Sequence, residues 1–284
     1  MTQAVRLREL LRRDGMVVAP GAYDCITARL IERAGFAAVY MTGAGTAATL
    51  GYPDFGLVTM SEMAGNAGRL AAAVQVPVVA DADTGYGNEL NVVRTVRAYE
   101  AAGVAGLHIE DQGFPKKCGH LDDKEIVPRE EWLAKIRAAA AARRSADFLV
   151  IARTDARAVA AFDEAVARAN AAIEAGADMA FVEAPQTLEE VAAVPRIVRG
   201  PCLLNIVRGG KTPDLDLGEA ERMGYKLAIV PGLLMQTAIA AGEQVLAELM
   251  TARRHPRPAR EVRVGEIFRL MGSDDWDALR SKFR

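Results

Sequence analysis

The sequence predicts an α/β fold, a (β/α)8 TIM-type barrel, on three observations. A unit of amphipathic helix, glycine and short apolar strand recurs along the chain. The strand segments are short apolar runs, most of them without polar alternation, as parallel strands covered by helices require. The polar residues that interrupt this pattern gather where the runs end. Eight such strand–helix units match a closed barrel. A doubly wound open sheet is the competitor, but its first turn would carry GxGxxG spacing. Here that turn reads Pro20-Gly21-Ala22-Tyr23-Asp24.

In order, the strands are read at Met16–Ala19, Ala38–Met41, Val76–Ala80, Gly106–Ile109, Phe148–Ala152, Met179–Val182, Cys202–Ile206 and Leu227–Val230. Asp24 and Asn88 have the side chains to cap first turns, and Ser61-Glu62 opens another helix. The alanine-rich segment Phe162–Ala175 is a good helix by propensity, with Asp163, Glu164 and Arg168 on one side. Four helices end at Gly35, Gly103, Gly176 and Gly224, because glycine takes the left-handed cap conformation without a Cβ penalty. Residues 1–250 form the barrel with a short N-terminal helix, and residues 251–284 a helical extension of the same domain. Arg253, Arg254, His255, Pro256 and Pro258 mark a solvated linker within 251–263. The tail beyond carries Ile267, Phe268, Leu270, Met271, Trp276 and Phe283, so much apolar surface that it docks on this barrel or on a neighbouring subunit.

The bulk numbers exclude several classes. With 284 residues and a hydrophobic share of 51%, the chain builds a large core. A net charge of −2 gives no ground for binding nucleic acid or an anionic membrane. Met1–Asp14 is charged and has no apolar signal core, and no run approaches the roughly 20 apolar residues of a membrane span. Cys25, Cys118 and Cys202 are odd in number and far apart, which argues against a disulfide framework and for a reducing, cytoplasmic setting.

Barrel active sites gather at the C-terminal ends of the strands. The second strand ends in Thr42-Gly43-Ala44-Gly45, whose backbone N–H groups suit a carboxylate. The third ends in Asp81 and Asp83, on one side by their spacing of two; the fourth in His108 and Glu110; the fifth in Arg153 and Asp155; the sixth in Glu183; the seventh in Asn205. With Asp54, these carboxylates concentrate negative charge that a cation would relieve. An all-oxygen set favours a hard ion, best Mg²⁺. The plain alternative for Asp81 and Asp83 is a pair of loop-capping carboxylates. Arg153 offers a planar fork for a substrate carboxylate, or else a structural ion pair with Asp155 or Glu183. Lys116-Lys117-Cys118-Gly119-His120 places a thiol among cations, which lower a cysteine's pKa and make its proton available. His120 tunes that thiol or binds substrate. His108 reads better as an interior histidine, and Cys25 and Cys202 as packing residues.

On these residues the chain resembles the isocitrate lyase/phosphoenolpyruvate mutase superfamily, over nearly its whole length. The motifs in register are Tyr40-Met41-Thr42-Gly43, Gly51-Tyr52-Pro53-Asp54, Asp81 to Gly87, Glu110-Asp111-Gln112, Lys116 to His120 and Ala152 to Ala156. Its length is similar to the 2-methylisocitrate lyase and 2,3-dimethylmalate lyase branches, and Asn205 to Pro213 is closest to the latter. The resemblance implies Mg²⁺, with Mn²⁺ as substitute, near Asp54, Asp81, Asp83 and Glu110, largely through waters. It implies substrate contacts from Thr42, Gly43, Ala44, Asp81, Arg153, Glu183 and Asn205, and a Cys118 loop that closes over the substrate. It also implies a homotetramer with C-terminal helices exchanged between subunits. Arg208 and the segment Ile229 to Leu233 depart from the family's pattern and bear on the substrate's distal end.

The expected reaction is Mg²⁺-dependent cleavage of a small 2-hydroxy di- or tricarboxylate, of 2-methylisocitrate or 2,3-dimethylmalate type, to a 2-oxo acid and a carboxylic acid. Glu110, Lys116, Lys117, Cys118, His120 and Arg153 are its catalytic candidates, with Arg153 and the loop lysines steadying charge and Cys118 donating a proton. A carboxyphosphonoenolpyruvate or phosphonate mutase and an oxaloacetate decarboxylase or hydrolase share the same scaffold and stay open. A Schiff-base aldolase needs a lysine at a strand end, which Met179–Glu183 lacks. A non-catalytic binding protein would not need the acid and metal groups that are present.

Overall fold

The computed structural model describes residues 1–121, 123–258 and 260–284. Eight parallel strands close in chain order into one barrel: β1 (Val17–Ala22), β2 (Val39–Met41), β3 (Val78–Asp81), β4 (Gly106–Glu110), β5 (Leu149–Thr154), β6 (Met179–Val182), β7 (Cys202–Asn205) and β8 (Leu227–Val230). β1 completes the ring against β8, with Val17 opposite Leu227 and Pro20 opposite Val230. Before the ring comes α1 (Gln3–Arg12). Between strands lie α2 (Cys25–Arg33), α3 (Gly43–Thr49), α4 (Met60–Ala73), α5 (Glu89–Ala101), α6 (Arg129–Ala142), α7 (Ala156–Val159), α8 (Phe162–Glu174), α9 (Leu188–Ile197) and α10 (Leu217–Met223). After β8 come α11 (Leu233–Ala252), α12 (Val264–Leu270) and α13 (Ser273–Ser281).

The barrel interior is packed, not hollow. Val17, Tyr40, Val79, Leu149, Met179, Phe181, Leu203 and Leu227 form one apolar cluster inside the ring, and Leu7 of α1 joins it. Arg8 fastens α1 from outside, pairing with Asp178 at 2.8 Å and donating to the Asp147 carbonyl at 3.0 Å. Leu7 is fully buried, so α1 acts as a plug at one end. The polar strand ends therefore face the other, open end.

Local chemistry sets the element boundaries. The glycines after α2, α5, α8 and α10 all have positive φ, from 87° at Gly103 to 107° at Gly176. Asp24 and Asn88 cap α2 and α5, each in a reciprocal capping box. The next start differs from expectation: Thr59, not Ser61, caps α4. Its backbone N–H donates to Glu62 Oε2 at 2.8 Å, the box that a Thr-x-x-Glu spacing allows. β3 begins at Val78 because Pro77 has no N–H to give the ladder. Arg168, expected beside Asp163 and Glu164 on a polar helix side, is instead buried. It reaches Asp111 at 3.1 Å and Glu164 at 2.8 Å.

The C-terminal segment behaves differently from the barrel. α11 runs straight through residue 250, and Arg253 to Arg263 forms the linker expected there, although Ala259 lies outside the described residues. α11, α12 and α13 bury none of their side chains in this chain. α12 lies along α2, where Arg29 donates to the Leu270 carbonyl at 3.0 Å. Phe268, Trp276 and Phe283 stay exposed.

Candidate active site

The strand ends enclose a cavity of about 140 Å³. Of the sequence candidates, Thr42, Ala44, Asp54, Asp81, Lys116, Cys118, His120, Arg153, Glu183 and Asn205 line it. Gly43, Asp83 and Glu110 stand directly behind that wall. Lys117 does not contribute its side chain to the cavity: the Gln112 amide brackets its backbone, accepting from its N–H at 2.9 Å and donating to its carbonyl at 2.8 Å.

Asp81 anchors the acidic side. Its Oδ2 accepts from Gly43 N–H at 3.2 Å and from Tyr40 at 3.3 Å, while Oδ1 accepts from Asp83 N–H at 2.9 Å. Thus the amide at the end of β2 holds a protein carboxylate. A Cβ on Gly43 would lie 2.4 Å from Asp81 Oδ2, so only glycine permits the contact. Burial opposes ionisation of Asp81, but His108, Lys116, Arg153 and the Asp83 N–H outweigh it and hold the group down to about 2. Asp83 lies past the end of β3 with φ 45°, so a left-handed turn places it, not the strand's period of two. Its carbonyl accepts from Glu110 N–H at 2.9 Å, tying the loop to β4. Burial raises the Asp83 carboxyl to about 6, and Asp81 and Asp54 add to the rise against Lys116.

Lys116 sits among these acids, fully buried. It pairs with Asp54 and lies 2.7 Å from Asp83 Oδ1, close enough for an ion pair though off the direction of a hydrogen bond. Glu110 contributes Oε2 at 3.3 Å from Arg153 Nε, while its buried Oε1 has no hydrogen-bond partner. Burial pushes the Glu110 carboxyl well up against the pull of Arg153 and Lys116.

On the opposite side Arg153 is the hub. Its Nε and Nη2 fork onto Asp155 at 2.9 and 3.2 Å, Nη2 reaches Glu183 at 3.3 Å, and the guanidinium stacks 5.1 Å over Phe181. The structural ion pair that the sequence allowed for Arg153 is present, and the same side chain lines the cavity. Glu183 accepts from Asn205 at 3.1 and 3.2 Å and lies 3.1 Å from His120 Nε2. His120 Nδ1 accepts the Lys211 backbone N–H at 3.0 Å, so its proton sits on Nε2 and points to Glu183. Gly119 lies so close that a Cβ there would fall 2.3 Å from Arg153 Nη2 and 2.7 Å from Glu183 Cγ.

Cys118 corrects an expectation. Its thiol is pushed up from the ordinary value, not down: burial dominates and Asp54 and Glu183 add to it, outweighing Arg153 and the backbone bond from His120. Lys116 is spent on Asp54 and Asp83, and Lys117 does not line the cavity.

Several site residues escape sequence reasoning. Tyr40 lines the cavity and lies 2.8 Å from His108 Nε2; its place two residues before Thr42, which stands just past the end of β2, could have revealed it. Burial lowers His108 to about 4, so it is neutral. Nε2–H donating to Tyr40 lets the tyrosine hydroxyl donate on to Asp81, leaving Nδ1 as a bare lone pair. Lys124 is buried, pairs with Asp155 at 2.8 Å and donates to the Gly119 carbonyl. Nothing local in the sequence marks it.

Among the described residues no three His, Cys, Asp or Glu groups converge closely enough to hold an ion by themselves. The donor set nevertheless fits a hard cation bound through waters. Asp54, Asp81, Asp83, Glu110 and Glu183 outnumber Lys116 and Arg153, the Glu110 oxygen lacks a partner, and the Asp83 carboxyl is raised by burial first and by the Asp81 and Asp54 charges next.

The phosphoenolpyruvate phosphomutase family model matches residues 7–250. The chain is 48% identical to a 2,3-dimethylmalate lyase of Eubacterium barkeri over 90% of its length and 87% of the relative's. It is 47% identical to a 2-methylisocitrate lyase of Aeropyrum pernix, covering 86% of this chain and 79% of that one. A crystal structure of 2,3-dimethylmalate lyase, a PEP mutase/isocitrate lyase superfamily member, superposes with a TM-score of 0.94 at 39% identity, over 99% of this chain and 95% of that one.

Proposed function

The chain belongs to the phosphoenolpyruvate phosphomutase family and is a lyase of the isocitrate lyase/phosphoenolpyruvate mutase superfamily, and from that premise we propose that it splits a small 2-hydroxy dicarboxylate of the 2,3-dimethylmalate type. The observation that carries this reading is a single small cavity with Cys118 on its lid, Arg153 and Glu183 on one wall and Asp81 on another. A volume of about 140 Å³ suits a small branched acid better than a tricarboxylate. Val207, Pro231 and Met235 give the cavity an apolar side for methyl substituents. A third carboxylate would want a third cation, and Arg208 lines a separate groove with Asp214 instead.

In this reading one substrate carboxylate lies beside Thr42 and Ala44, since the Gly43 N–H is held by Asp81, and Arg153 faces the group that gains charge. Asp54, Asp81, Asp83 and Glu110 would hold Mg²⁺, or Mn²⁺ in its place, which would acidify the substrate hydroxyl. A carboxylate at the mouth takes the hydroxyl proton. The C2–C3 bond breaks, C2 leaves as a 2-oxo acid, and the electron pair stays on C3 as an enediolate. Cys118 then gives its proton to C3, producing the second acid. The raised thiol pKa keeps that proton in place until it is needed. The loop, with Lys116 and Gly119 buried, would exclude water that would otherwise quench C3 early. The exposed apolar faces of α11, α12 and α13 support their exchange between subunits of a homotetramer. No helix of the described residues is long and apolar enough to cross a membrane, and three unpaired cysteines are in keeping with a cytoplasmic setting.

The test is a screen of 2,3-dimethylmalate, 2-methylisocitrate, isocitrate, citramalate and oxaloacetate with Mg²⁺. Pyruvate with propionate from the first compound is the expected result. Oxalate with acetate from oxaloacetate, and no oxo acid from the others, would replace this reading with a hydrolase.

A further inference from the structure

Behind the active-site wall lies a second pocket, of about 700 Å³, that none of the chemistry above uses. It opens between the start of α4, the loop after β3 and the loop after β4, with α6 as its floor. Its volume falls in the ordinary range for small-molecule sites, roughly 300–1,000 Å³. Leu57, Val58, Met60, Tyr86, Phe114 and Val127 give it apolar walls. Its charged lining consists of Arg94, Glu131 and Lys135.

Lys135 is the group that calls for an occupant. It is only 6% exposed. Its hydrogen bond is a long one, 3.4 Å to the Thr84 carbonyl, which leaves an ammonium with three donors poorly served. Burial lowers its pKa against the opposing pull of Glu131 and Glu89. Among the described residues neither Lys135 nor Arg94 makes an ion pair, in a chain whose other buried cations are all matched to carboxylates. A desolvated, unmatched cation is costly, and an anion placed beside it recovers that cost. An inorganic anion would satisfy Lys135 but leave the apolar walls wet. An apolar molecule would cover the walls and leave the ammonium alone.

The walls of this pocket are also the back of the loop that closes the active site. Gln112 lines it while bracketing the backbone of Lys117. Phe114 lines it from the same loop, and a Cβ on Gly56 would lie 3.3 Å from the Phe114 ring and 3.4 Å from the Lys116 backbone nitrogen. Thr84, which accepts from Lys135, follows Asp83 directly.

We propose that this pocket binds an amphipathic monocarboxylate, its carboxylate between Lys135 and Arg94 and its hydrocarbon along Leu57, Met60 and Phe114, and that occupancy holds the Lys116–His120 loop closed. The inference goes beyond the lyase reading and does not depend on it, because its readout is binding, not turnover.

Octanoate is the probe, titrated calorimetrically into the full-length protein, with octylamine as the control of opposite charge. Saturable binding at one octanoate per chain is expected, with no binding of octylamine. Lys135→Met and Arg94→Gln should each weaken octanoate about tenfold, the loss of one charged partner. Arg94 is exposed on α5, so its replacement leaves folding intact even if Lys135→Met disturbs it. Trypsin cleavage after Lys116 and Lys117 should slow several-fold at saturating octanoate in the wild type and not in Arg94→Gln. Absence of saturable binding, equal binding of octylamine, or octanoate affinity unchanged in Arg94→Gln would overturn the site. Binding without slower cleavage would overturn its hold on the loop.

Discussion

Cys118 is chemically an acid in reserve. Burial and the Asp54 and Glu183 charges keep its thiol protonated, whereas a nucleophile would need the thiolate. Cys118→Ser keeps the shape and loses most of the acidity. Turnover with 2,3-dimethylmalate should fall about 10²–10⁴-fold, while Mg²⁺-dependent oxalate binding stays within about twofold of wild type, read by steady-state assay and inhibitor titration. His108 makes a different prediction, about stability. Its value falls from 6.5 to about 4 in the folded chain, so the unfolded chain binds more protons between those limits and His108 contributes stability that is lost as pH falls. Asp83 and Asp111 rise from 3.8 to about 6, so they act oppositely: the folded chain holds more protons, and their contribution is lost as pH rises through that window. His108→Gln removes the offsetting group. Its stability should therefore fall more steeply from pH 4 to 6 than wild type, by up to about 1.4 kcal/mol per pH unit, measured by urea unfolding in metal-free buffer. The sequence showed which residues were polar and where strands ended, so Asp81, Arg153, Glu183 and Asn205 were legible. It could not show their partners, and the direction of the Cys118 shift depends on partners.

The loop between β4 and α6 is the element on which the site turns, and its fastening is a tertiary feature. Lys124 holds the Gly119 carbonyl with one hand and Asp155 with the other, and Asp155 in turn orients Arg153. The seated loop and the aimed guanidinium thus share one fastening. Lys124→Met leaves Asp155 with Arg153 alone and the Gly119 carbonyl without its donor, so the loop should open more readily. The expected result is a KM raised about tenfold with a smaller loss of kcat, together with faster trypsin cleavage after Lys117; Lys124→Arg should restore most of both. A purely structural lysine would lower the melting temperature and leave KM alone. The elements themselves were readable because the signals are local: apolar runs, capping boxes and glycine stops lie within one turn of what they control. Even so Thr59 displaced Ser61, since two candidate caps lay two residues apart and only one had a glutamate at the right spacing. Lys124, Arg168 and Tyr40 were missed or misplaced because each acts on a residue far away in the chain.

At the scale of the molecule, barrel and tail obey different rules. The barrel closes on itself and hides its strands, with α1 as plug; Leu7→Ala should cost about 2–5 kcal/mol, as other buried leucines do. The tail hides nothing. Trp276 is 70% exposed and Phe283 81%, and α11 presents Ile239, Leu246 and Met250 in the same way. An apolar face this long marks an interaction surface, and the proposed exchange would use the linker from Arg253 to Arg263 to bring the last two helices to a neighbour. Deleting residues 255–284 removes no side chain from the barrel core, so circular dichroism should report the same fold. It should, however, convert the assembly to smaller species by sedimentation velocity and make the residual α11 surface bind a hydrophobic dye. A tail that merely lies along its own α2 would leave the sedimentation coefficient scaling with mass alone, and that result would remove subunit exchange from the account.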